Sequence, residues 1–282
     1  MSILVTTDSS ADLSPALLQE LSVEQIPLSI ILGGTPYQDG LEITPEDIFR
    51  HVSMGGGTPT TSAISIGEYQ ALFSRLSPQY DSIIHINIGS GFSSCHANAK
   101  VAAGDFINVY VVDSRSLSTG QGAVVLEACR LAKEGRPATE IVLELEKFSN
   151  EIVFSFILDQ LTYLRKGGRC SGVVALGANL LQLKPVIALK DNALGVGKKY
   201  RGGFEKILPS YLKDQIEGHP NLDPQGVYLV SAGCSQAILD KAVQEITSLT
   251  GYPPRRHFTA GCTISSHCGP NTLGLALLSK RP

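Results

Sequence analysis

Apolar and polar residues alternate along this chain in short blocks whose period switches between two and about 3.6. Residues 3–6 read as a strand and 15–21 as a helix, entered through the polar loop "TDSSADLS". A second apolar run, 27–32, is closed by Gly33-Gly34. Thr44-Pro45-Glu46 supplies an N-cap, a first-turn proline and an early acid, predicting a helix to about residue 52. The pattern then gives a helix over 66–76, a strand over 82–88, a helix leaving "GSGFSSCHANAKVAAG" and ending at Gly104, and a strand over 108–112. Helices reaching residue 133 and covering 137–148 follow. Strands alternating with helices predict a mostly parallel sheet covered on both faces.

The second half is less regular. A strand over 152–158 precedes a short helix in "LTYLRKGGRCSG", stopped by Gly167-Gly168. Runs 183–189 and 193–199 flank Asp191-Asn192 as a hairpin. A helix over 204–216, a strand over 227–231, a helix over 236–250 and strands over 255–258 and 274–278 complete the pattern. The expected fold class is α/β with two domains. Residues 1–149 form a mostly parallel sheet with flanking helices, and 150–282 a mixed sheet with helices. No internal repeat or low-complexity linker separates them, so a cleft between them is a favoured ligand site.

Composition narrows the class. With 282 residues, 43% hydrophobic and 17% charged, the chain is globular and long enough for two cores. A net charge of −3 and the lack of a basic tract speak against nucleic-acid partners. The start lacks a basic region and a long apolar core, and apolar runs are too short to span a bilayer. A soluble cytoplasmic protein without stable membrane insertion is expected. Six cysteines are scattered with no Cys-x-x-Cys; buried free thiols fit better than disulfides. Cys262, His267 and Cys268 make a poor zinc pattern, so neither metal nor cofactor is expected.

The chemistry sits in polar stretches at predicted strand ends, where open parallel sheets collect ligands. "MGGGTPTTSAISIGEY" combines a glycine hinge with Thr58, Thr60, Thr61, Ser62 and Ser65. In "GSGFSS", Ser90 lies between two glycines that let backbone N–H groups approach a ligand. Asp8, Ser9, Asp113 and Ser114 are expected to cap helices. No Walker loop or dinucleotide fingerprint is present. Hydroxyls without flanking Arg or Lys suit a singly charged carboxylate better than a polyphosphate. His267, in the polar loop "SSHCGPNTLG", could reach across the cleft as a further donor. A hydrolase or transferase using Ser90 or Cys268, and a sensor of a small polar ligand, remain alternatives, although the Gly-x-Ser-x-Gly elbow is missing.

The ordered set "VTTDSSADL", "IPLSI", "TPTTSAIS", "GSGFSSCHANA", "VYVVDSRSLSTGQG", "LTYLRKGGRCSG", "KYRGGFEKI" and "SSHCGPNTLGLAL" resembles the DegV family of bacterial fatty-acid-binding proteins along the whole chain. That resemblance implies a long-chain fatty acid, such as palmitate or oleate, in a buried tunnel between two α/β domains. It implies a binding protein, not an enzyme, whose partner is the catalytic subunit of a fatty acid kinase. The family's Thr-Ser-Gln-Pro-Ser threonine falls on Thr61, and its His-x-Gly-Pro-Gly histidine on His267. The first serine of its Ser-Gly-Thr-Tyr-x-Ser motif is matched to Ser90. Ala63, Ile64, Phe92, Cys95 and Asn271 depart from the pattern, leaving Ser62 and Ser93 as further hydroxyls able to hold the carboxylate. Segments 152–161 and 173–183 are candidate tunnel linings. Positive charge clusters only at Arg165, Lys166, Arg169, Lys198, Lys199 and Arg201; Arg169 and Arg201 are assigned a partner-docking or phosphate-receiving face.

Overall fold

The computed structural model describes residues 2–174 and 183–281, so most of the candidate lining segment 173–183 lies outside the described residues. The strands are β1 (Ile3–Asp8), β2 (Glu24–Ile26), β3 (Ser29–Leu32), β4 (Thr35–Gln38), β5 (Thr60–Ser62), β6 (Ser82–Asn87) and β7 (Val109–Asp113) in the first half. The second half adds β8 (Val153–Leu158), β9 (Leu183–Lys190), β10 (Ala193–Arg201), β11 (Leu222–Ala232), β12 (Arg256–Thr259) and β13 (Thr272–Ser279). Helices are α1 (Pro15–Leu21), α2 (Pro45–Ser53), α3 (Ile66–Leu76), α4 (Cys95–Ala103), α5 (Thr119–Lys133) and α6 (Ala138–Glu151). They continue with α7 (Thr162–Gly167), α8 (Ser171–Val174), α9 (Phe204–Glu217), α10 (Gln236–Thr250) and α11 (Cys262–Cys268).

Three sheets result. A parallel sheet runs β2-β1-β6-β7, a mixed sheet runs β10-β9-β8-β13-β11-β12, and a small antiparallel sheet runs β4-β3-β5. The α/β class expected from the alternation of strands and helices is the observed one. The glycine-and-hydroxyl stretch resolves locally. Ser65 caps α3, with Ser65 and Glu68 forming a reciprocal capping box, as Thr44 and Asp47 do for α2. Thr60, Thr61 and Ser62 instead form an edge strand on β3.

The mixed sheet shows a clean period of two. Phe154, Phe156 and Leu158 of β8 and Tyr228, Val230 and Ala232 of β11 face the first half of the chain. Ile157, Leu229, Leu273, Leu275 and Leu277 face the opposite way, into a core with α9 and α10. The parallel sheet ends at residue 113 and the mixed sheet begins at Val153, yet one apolar cluster containing Leu4, Ile86, Phe156 and Val230 joins them.

Two features differ from the sequence expectation. Strands β2, β4 and β5 are three or four residues long, too short for a hydrophobic period to register. The expected polar loop around His267 is the helix α11. Its start carries no local cap side chain; the cap comes from Asp39, far away in sequence. Asp39 Oδ1 accepts from the Cys262 amide at 2.8 Å, and Oδ2 from the Thr263 amide at 3.1 Å and Ser9 Oγ at 2.9 Å. Asp12 Oδ1 accepts from the Gly261 amide at 2.8 Å. These bonds join the first and last parts of the chain. Asp39→Asn places an amide N–H₂ against donors and should lower stability by about 2 kcal/mol. The expected readout is a lower urea midpoint with an unchanged slope.

Candidate functional site

Between the parallel sheet, the small sheet and one face of the mixed sheet lies a cavity of about 500 Å³. This is within the usual size range for an enclosed small-molecule site. Its body is apolar: Leu28, Ile88 and Phe92 from the first half meet Phe154, Phe156 and Val230 from the second. The segment 152–161 thus supplies two lining aromatics. Polar groups on the wall include Thr61 and His267, which lie together beside Arg169, and also Ser62, Ser93, Asn98, Ser118, Ser231 and Thr272. Arg169 is the single formally charged side chain among the described lining residues.

The polar end is built from long-range pairings. Thr61 lies on β5, opposite Ile30 of β3, and α11 packs against this small sheet through Cys262, which shares a core with Ile30, Ile43, Ile48 and Tyr163. That brings Thr61 Oγ1 to 2.9 Å from His267 Nε2. His267 Nδ1 is buried and has no hydrogen-bond partner among the described residues. Gly167 lies flush against the ring, where any Cβ would collide with Nδ1. Burial, helped by the charge of Arg169, holds the imidazole down to about 4, so it is neutral at pH 7. Its one proton is assigned to Nε2, because a buried N–H at Nδ1 would be left unpaired. Nε2–H then donates to Thr61 Oγ1, and the Thr61 hydroxyl proton is free to point into the cavity.

The loop after β6 is fixed from below. Asp8 Oδ2 accepts from the Ile88 amide at 2.8 Å, while Gln121 donates to Asp8 Oδ1 at 3.0 Å. Burial pushes the Asp8 carboxyl above its ordinary range, and these donors pull the other way. Asn98 Nδ2 donates to the Ile64 carbonyl at 2.7 Å, tying α4 to the stretch that follows β5. The arrangement offers neutral donors and one guanidinium to an anion, with an apolar body behind. Cys268 is also on the wall, but burial pushes its thiol up to about 12, so it is not a thiolate at neutral pH.

The family described as "Uncharacterised protein, DegV family" matches residues 2–280. This chain belongs to the DegV family. A DegV domain-containing protein of Listeria innocua is 34% identical over 280 residues, covering 97% of each chain. A structure described as fatty acid binding of a DegV family protein from Thermus thermophilus has a TM-score of 0.89 at 30% identity, covering 99% of this chain and 100% of the other. The structure of DegV, a fatty acid binding protein from Bacillus subtilis, has a TM-score of 0.81 at 26% identity, covering 99% of this chain and 100% of the other.

The DegV motifs fall unevenly on the cavity. Thr61, Ser62, Ser93 and His267 line it; Ser90 does not. Ser90 Oγ donates to Asp113 Oδ2 at 2.6 Å and accepts from Asn192 Nδ2 at 2.8 Å, so its hydroxyl is already spent on neighbouring loops. Asp113, expected as a cap, holds that loop instead: it also accepts from the Ser90 amide. Reading the Ser-Gly-Thr-Tyr-x-Ser motif three residues later, over Ser93-Ser94-Cys95-His96-Ala97-Asn98, puts its first serine on Ser93 and its last on Asn98. Both of these line the cavity. Asn98 was thereby missed, although the motif's final serine pointed to it. Arg169 lines the cavity, whereas Arg201 is exposed at the end of β10 and outside the lining.

The lowered His267 pKa has a consequence for stability. In the unfolded chain a histidine titrates near 6.5, and in the fold this one does so near 4. Between those values the unfolded state binds more protons, so stability falls as the pH drops through that window. His85, held down to about 3 by burial, acts in the same direction. His267→Gln should therefore reduce, without abolishing, the decline of the urea midpoint between pH 6.5 and pH 4.

Proposed function

We propose that this DegV protein binds a long-chain fatty acid with its carboxylate at Thr61, Ser62 and Ser93, the Thr61 hydroxyl being oriented by His267, and its acyl chain in the apolar body of the cavity. The observation that carries this reading is a cavity lined by aromatic and aliphatic side chains from both halves of the chain, with the hydrogen-bonded Thr61–His267 pair and one cation, Arg169, on its wall. The fatty-acid descriptions of the Thermus and Bacillus relatives support it. Burying about fifteen methylenes contributes on the order of 12 kcal/mol before the entropy of ordering them is subtracted. The head group adds about 1.5–3 kcal/mol per charge-assisted hydrogen bond. Affinity therefore resides mainly in the tail, and the polar end sets orientation.

In the same proposal the protein acts as a carrier. It presents the carboxylate to a fatty acid kinase, which makes the acyl phosphate. Arg169 at the cavity wall and Arg201 on the exposed end of β10 form the face that meets the kinase or the phosphorylated head.

Organic extraction of the purified protein, followed by mass spectrometry, is expected to yield a long-chain fatty acid. Recovery of no lipid, together with no binding on titration, would overturn the reading. Thr61→Ala should weaken palmitate binding roughly ten- to hundredfold, which corresponds to one lost charge-assisted bond. Arg201→Glu should leave palmitate binding unchanged while lowering kinase-dependent acyl-phosphate formation; unchanged turnover would remove Arg201 from the docking face.

A further inference from the structure

Beneath two of the cavity's lining residues lies a position with no side chain. In the mixed sheet Gly274 of β13 is paired directly with Phe156 of β8 on one side and Val230 of β11 on the other. Directly paired residues project to the same face, and Phe156 and Val230 both line the cavity. The packing around Gly274 is tighter than an ordinary cross-strand pair. A Cβ built there would lie 3.0 Å from Phe156 Cβ, 3.0 Å from Val230 Cγ1 and 3.1 Å from the Ser155 carbonyl oxygen. Cβ atoms of opposed residues usually stand about 4.5–5.5 Å apart. Gly274 therefore lets Phe156 and Val230 lie low against the sheet, over the space its own side chain would fill.

The position lies away from the polar end. Thr272, at the start of β13, lines the cavity beside Cys268, to whose carbonyl its Oγ1 donates at 3.1 Å. Gly274 is two residues further along the strand, about 7 Å deeper. Beyond it the same face carries Ala276, paired with Phe154 and Tyr228. Ala276 is wholly buried, and Phe154 is the last of this row to touch the cavity, so the aromatic row ends it.

We propose that Gly274 is a specificity-determining residue that sets the clearance over the Phe156–Val230 floor and thereby how long an acyl chain the cavity accepts. The inference rests on the fatty-acid reading of the cavity. A short acid anchored at Thr61, such as hexanoate, ends before this floor, whereas a long one crosses it. Adding a methyl group at 274 lifts Phe156 and Val230 by a few tenths of an ångström into the path of the distal methylenes only. Each buried methylene is worth about a fourfold change in affinity, so displacing about two gives roughly ten- to twentyfold.

The test compares hexanoate and stearate binding to wild type and Gly274→Ala by titration. Stearate is expected to weaken roughly ten- to twentyfold, and hexanoate by less than about twofold. Truncating the crowded neighbour, in the double variant Gly274→Ala, Val230→Ala, should restore stearate binding. Equal proportional loss of both acids, or no loss of either, would overturn the role of Gly274 while leaving the fatty-acid reading intact. If wild type binds neither acid, the fatty-acid reading fails, and this inference fails with it. Should Gly274→Ala not fold, Val230→Ala alone lowers the floor from the other side. It should then raise the affinity for arachidate relative to stearate; an unchanged or lower ratio overturns the proposal.

Discussion

The site depends on a carboxylate that receives backbone N–H groups from the far end of the chain. Asp39, beside the small sheet, caps α11 through the amides of Cys262 and Thr263, and Asp12 takes the amide of Gly261 just before them. A seven-residue helix with no local cap has little stability of its own. Its position, and with it the ring of His267, is therefore set by residues more than two hundred positions earlier. The Thr61–His267 bond, the core shared by Cys262 with Ile30 and Ile48, and the polar end of the cavity all follow from that clasp.

Buried carboxylates do similar work elsewhere. Asp8 holds the amide of Ile88 and so fixes the root of the loop that carries Phe92 and Ser93. Burial raises Asp8 and pushes Asp12 well above its ordinary range, with the neighbouring acids adding to the effect at Asp12. Left unpaired, such groups would be expensive in an apolar interior. Here each accepts several bonds, so these buried carboxylates are themselves satisfied. What remains open to a ligand is the small set of donors around Thr61.

Much of this was legible in the sequence, and the exceptions have physical causes. Helices α1, α3 and α10 follow from apolar periodicity bounded by Ser14, Ser65 and Ser235, whose hydroxyls cap them locally. The β9–β10 hairpin follows from Asp191-Asn192, both of which adopt positive φ. By contrast α11 hid because its cap is supplied by Asp39, which no local window contains. Strands β4 and β5 hid because they are short and exposed, and pairing with β3 decides them. At the site, the hydroxyl cluster and His267 were visible as residue types, but Ser90 and Ser93 differ by a single half-turn of loop. Only the structure shows that Ser90 turns to Asp113 and Asn192, while Ser93, whose Oγ accepts from the Cys95 amide, lines the cavity. Arg169 was visible as charge, and its place on the cavity wall came from the tertiary fold.

The balance of charge at the polar end bears on how an acid could be held and also given up. A histidinium together with Arg169 would put two cations against one carboxylate, in surroundings where desolvation makes such attraction strong. With His267 kept neutral, the imidazole instead acts through Thr61: it donates to the hydroxyl oxygen and so aims the hydroxyl proton. Orientation is then obtained from neutral donors whose separate contributions are modest. In the proposed complex, an acid held mainly by its tail would keep a head group that a second protein could reach. In that proposed complex the neutral His267 and the apolar side chains of the wall would together leave the carboxylate as the most exchangeable contact.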